Sequence, residues 1–78
     1  TDTLTATKGI FPTSVAIGQA GAPETSAVLE LDGTTGALLL TRLTTAQRDA
    51  LTPVNGMVIY NSTNTAVEAY VNGAWVTL

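Results

Sequence analysis

The chain has no cysteine and no histidine. Without cysteine there is no disulfide and no thiolate zinc site. Without either residue, no imidazole or thiol can serve a nucleophile–base pair or a metal. Charge is scarce as well, at 12% of residues, about half the usual share. Only three cations occur in 78 residues, and the net charge is −3. That cannot track a phosphate backbone, which argues against nucleic acid. It also argues against an anionic membrane surface. The longest apolar run is Ala37-Leu38-Leu39-Leu40, far short of the ~20 residues of a spanning helix. There is no initiator Met, and Thr1 opens on what reads as mid-protein sequence, so a piece of something longer is expected.

What is present is apolar and uncharged. Hydrophobic residues reach 45%, beside fifteen threonines and eleven alanines. A single domain of this length buries only about 60% of its extended surface. With no staple available, association with further copies is the expected route to stability. Threonine favours strands and is polar without being charged, which suits surfaces covered by other copies.

Residues 1–25 show no helical period and are broken by Gly9, Pro12, Gly18, Gly21 and Pro23. They read as an extended N-terminal arm with one short strand over 14–17. A solvated linker would not need Ile10, Phe11, Val15 and Ile17. Residues 26–78 read as a separate β-rich module. A strand is predicted over 26–32 and a turn over 32–36. Residues 37–43 form a nearly continuous apolar run, predicted as a strand or extended segment buried on both sides. A helix is predicted near 44–51. Thr44 is its N-cap, Gln47 completes a capping box, and Pro53 stops it. Two turns are unstable alone, so the helix must pack on something.

Residues 56–78 read as a three-stranded antiparallel meander, with strands over 57–60, 66–71 and 74–78. Asn72-Gly73 calls for a type I′ hairpin turn. That turn places Val71 opposite Ala74, Tyr70 opposite Trp75, and Ala69 opposite Val76. One face then carries Val67, Ala69, Val71, Ala74, Val76 and Leu78, and the other carries the aromatics. The expected fold class is mainly β with one short α-helix: an extended arm plus a small antiparallel meander, in an intertwined homotrimer.

The stretch from Ser26-Ala27-Val28-Leu29-Glu30-Leu31 through Asp32-Gly33-Thr34-Thr35-Gly36 to Thr44-Thr45-Ala46-Gln47-Arg48-Asp49-Ala50-Leu51 resembles a module of bacteriophage fibre proteins. Pro53, Gly56, Met57-Val58-Ile59-Tyr60-Asn61, Tyr70, Gly73 and Trp75 continue the resemblance. It covers about Ser26 to Trp75. Thr41 stands where that family usually has proline, and Leu43 where it often has methionine. The resemblance implies a homotrimeric structural element of a virion, in a head or tail fibre, with no enzymatic activity. Leu38, Leu40, Leu43, Ala46 and Ala50 are the candidates for the trimer interface. Arg42, Arg48, Asp49 and Glu30 are the candidates for pairing between subunits, against a plainly solvated helix face. The arm over 1–25 would attach to a capsid or tail and baseplate protein.

Other readings stand beside this one. Tyr70 and Trp75 would be the contacts of a glycan-binding receptor tip, if they face outward rather than pack on each other. A bacterial surface filament subunit is the third. Six carboxylates are scattered, and no catalytic, cofactor or metal site is expected. Glu30 and Asp32 share a strand face but lack the ligand count that calcium needs. Asn61-Ser62-Thr63 matches a glycosylation sequon and reads as a polar turn.

Overall fold

The computed structural model describes residues 9–18 and 24–78. Residues 1–8 and 19–23 of the expected arm lie outside the described residues. The chain divides into two compact units, Thr1–Leu38 and Leu39–Leu78. The described elements are short strands and one helix, a mainly β chain as expected.

In the first unit, β1 (Val15–Ile17) pairs in parallel with β2 (Leu29–Leu31). Val15 faces Leu29 and Ile17 faces Leu31. The Val15 N–H donates to the Val28 carbonyl at 2.8 Å, and the Asp32 N–H to the Ile17 carbonyl at 2.8 Å. Gly18 follows β1 with φ +88°, and a Cβ there would lie 2.0 Å from the Asp32 carbonyl oxygen. Only glycine allows this approach. The second strand is shorter than the predicted 26–32. The chain before it turns, with the Ala27 N–H on the Glu24 carbonyl at 3.0 Å. The pairing of the two strands was not legible in the sequence.

The second unit is a four-stranded sheet of order β3-β4-β5-β6. These are β3 (Arg42–Leu43), β4 (Val58–Asn61), β5 (Ala66–Val71) and β6 (Ala74–Thr77). The last three form the expected meander. Val71 faces Ala74, Tyr70 faces Trp75, and Ala69 faces Val76. Asn72 and Gly73 carry φ of 50° and 81°, the positive pair that a type I′ turn demands.

The run over 37–43 corrects the expectation. Only its last two residues are strand, paired in parallel with Tyr60 and Asn61 of β4. Leu38 and Leu39 are 59% and 72% exposed rather than buried on both sides. Burial on both sides needs a layer above and below, and neither leucine has one.

Between β3 and β4 the chain crosses over through α1 (Thr45–Asp49), shorter than the predicted 44–51. The capping box forms as predicted. The Gln47 N–H donates to Thr44 Oγ1 at 3.2 Å, and the Thr44 N–H to Gln47 Oε1 at 2.9 Å. The Thr45 N–H also donates to Thr63 Oγ1 at 3.1 Å, tying the helix start to the turn after β4. Among the described residues, the only buried apolar side chains are Ile59 and Ala69.

Candidate functional site

The most buried side chain described is polar. Asn61, at the end of β4, is fully buried, and Glu68 of β5 is 2% exposed. Alternation along β4 and β5 points both toward the helix side of the sheet. Asn61 Nδ2 donates to Glu68 Oε1 at 3.0 Å and to Thr45 Oγ1 at 3.1 Å. Its Oδ1 accepts the backbone N–H groups of Thr63 and Asn64 at 2.9 and 3.1 Å. The carboxamide thus closes the turn over 62–65 and holds the helix start.

Glu68 is fully engaged too. Arg48 NH1 reaches Oε1 at 2.9 Å, and Asn64 Nδ2 reaches Oε2 at 3.0 Å. The carboxamides of Asn64 and Asn61, then Arg48, hold this carboxyl below the ordinary glutamate value, while burial pushes the other way. Arg48 also grips Asp49 Oδ1 through NH2 at 2.8 Å and Nε at 3.0 Å. Its guanidinium sits 5.8 Å from the centre of the Trp75 ring, a cation–π distance. Trp75 meets Tyr70 edge-to-face at 5.2 Å. A buried polar group unpaired in a low dielectric is costly, so a satisfied cluster like this one specifies a single arrangement.

The opposite face of the sheet is apolar, with Ala69 buried between its neighbours and much of the rest exposed. The register sets Val58, Ala69 and Val76 in one row, Tyr60 beside Val67, and Val71 beside Ala74. Val58, Val71 and Leu78 are 43%, 49% and 74% exposed. The first unit is barer still. None of its described residues is buried, and Ile10, Phe11, Ile17, Val28, Leu29 and Leu31 are all exposed. Ile17, Leu31 and Leu38 help line an open hollow of about 320 Å³. A lone two-stranded ribbon is at best marginally stable in water, and parallel pairs occur almost only with both faces covered.

The sequence candidates fall in different places. Leu38, Ala46, Ala50 and Arg42 are exposed, and Leu40 and Leu43 are half-buried. Arg48 and Asp49 are engaged within their own chain, with each other and with Glu68. Glu30 accepts the Glu24 N–H at 2.6 Å, and Asp32 accepts the Gly33 N–H at 2.9 Å. Tyr70 and Trp75 are half-buried against each other. Asn61 is a buried strand end rather than the turn residue expected, so its sequon is inaccessible in the folded chain. Sequence reasoning missed the Asn61–Glu68 cluster. One signal was available: from Leu43 to Leu78 the only charges are Arg48, Asp49 and Glu68. A glutamate inside an apolar strand had one possible cationic partner there.

The chain belongs to the family described as Phage tail like trimerisation region, which it matches over residues 16–78. No curated protein and no solved structure matches it. The uncovered apolar surfaces therefore belong to a region whose family self-associates in threes, as a structural component of phage tail-like assemblies.

Proposed function

We propose that the chain is a structural segment of a phage fibre, in which three copies share one core. Residues 1–25 tie it to a capsid or tail and baseplate protein, and the assembly projects from the virion for host adsorption. Its work is mechanical, with no reaction and no cofactor. The observation that carries this reading is the burial of only two apolar side chains, Ile59 and Ala69, among the described residues. A fold with so little core of its own gains stability by sharing one. The packing of Trp75 against Tyr70 and Arg48 favours a structural role for the aromatics over a glycan platform.

The test is the solution mass of the 78-residue chain, by light scattering coupled to size exclusion. A mass three times 8.0 kDa is expected. A folded monomer at micromolar concentration would overturn the shared-core reading.

A further inference from the structure

A ring of three copies is held by heterologous contacts, so each copy must present two different, complementary surfaces. The chain offers one such pair in its backbone. Over residues 34–40 no backbone N–H or carbonyl makes a backbone hydrogen bond among the described residues. Residues 34–39 are exposed, Leu38 and Leu39 among them, so in a lone chain water takes up these backbone groups and they are free to pair with another strand. At the far side of the second unit, β6 is the last strand of its sheet.

The hairpin register says which groups β6 leaves free. A two-residue turn makes Val71 and Ala74 a hydrogen-bonded pair, and pairs alternate from there. Val67 and Leu78 fall in the same phase, and the Leu78 N–H does donate to the Val67 carbonyl at 2.9 Å. Trp75 and Thr77 are therefore the non-hydrogen-bonded positions. Their N–H and carbonyl groups point outward, away from β5. Natural edges are usually blunted by lysine, proline or an inward charge. Residues 33–41 and 69–78 contain no charge and no proline.

We infer that residues 37–41 of one copy add as a strand to the outer edge of β6 in the next copy. This rests on the trimer reading above and deepens it. The same stretch runs directly into β3, the edge strand of its own sheet. Each donated segment thus joins its own sheet to its neighbour's, and three such joints close the ring. The donor's leucines alternate across the new strand, and the backbone groups of residues 37–40 gain strand partners that they do not have among the described residues, while the Thr41 carbonyl keeps the Tyr60 N–H of its own sheet.

Two experiments test this. Thr77→Pro removes an outward N–H and no hydrogen bond of the hairpin itself. It is expected to raise the concentration at which the trimer half-dissociates about tenfold or more, by the loss of one strand bond at each joint. Thr77→Val, which keeps the N–H, leaves the trimer intact. Because the chain has no native cysteine, mixed cross-linking gives a readout that does not depend on stability. Copies carrying Leu38→Cys, Leu39→Cys or Leu40→Cys are refolded together with copies carrying Thr77→Cys and oxidised. Covalent dimers are expected in the mixtures and not in either parent alone. Equal cross-linking of a leucine variant with itself would place the leucines at the threefold axis and overturn the inference. So would a trimer that forms no mixed cross-link at any of the three positions. A monomeric unsubstituted chain would remove the trimer reading itself.

Discussion

Thr65 holds φ at 53°, in the left-handed region where a β-branched side chain is crowded. It closes the turn over 62–65 whose N–H groups are gathered by Asn61. Left-handed backbone costs an ordinary residue about 1–2 kcal/mol, and asparagine tolerates it better than threonine. Thr65→Asn is expected to stabilise the chain by about 0.5–1 kcal/mol, read as a higher thermal midpoint at fixed protein concentration. Glu68 makes a second residue-scale prediction. Its folded carboxyl titrates below the ordinary value of 4.5. The stability it contributes is thus present above that value and is lost as pH falls through the folded one. Glu68→Gln should lower the thermal midpoint at neutral pH, and the gap to the unsubstituted chain should close on acidification. A gap that stays constant with pH would mean that the carboxylate's charge contributes nothing to the cluster.

Single elements show which local signals decide structure. Gly18 lets β1 lie against the chain just after β2, where a Cβ would meet the Asp32 carbonyl at 2.0 Å. Gly18→Ala should open this ribbon. Amide exchange at Val15 and Asp32 should speed up about tenfold or more, since local opening controls both. Exchange at Ala69 and Val76 should not change. The ribbon was illegible in the sequence because parallel pairing needs no tight hairpin turn between its strands, so strands 15–17 and 29–31, separated by eleven residues, carry no local signature of their pairing. The hairpin was legible to the residue, because Asn72-Gly73 sets both turn type and register. The helix start was legible for the same kind of reason: Thr44 and Gln47 satisfy each other's backbone locally. Asn61 was not. Its role depends on Thr45 and Glu68, sixteen and seven residues away, brought together by the crossover between β3 and β4. Short-range chemistry is written in neighbouring residues, and a buried network is written only in the fold.

At the scale of the whole molecule, the question is what covers the sheet face carrying Val58, Ala69, Val71 and Val76. In a lone chain, Val71 is half exposed, and a glutamate there would be a surface change. Such changes usually stay within about ±0.5 kcal/mol. If copies close over this face, the same glutamate places an unpaired charge in an apolar interface, which is strongly disfavoured. The two cases separate in one comparison. Val71→Glu should shift the chain from trimer to smaller species, while Thr52→Glu, exposed in the crossover, should leave the mass unchanged. Stability should follow the mass. When the native state is a trimer, its thermal midpoint rises with protein concentration, because dilution draws copies apart. The unsubstituted chain and Thr52→Glu should both show that rise. Val71→Glu should lose the rise together with the trimer, whereas a mass and a midpoint that both stay unchanged would show that the face is covered by nothing but water.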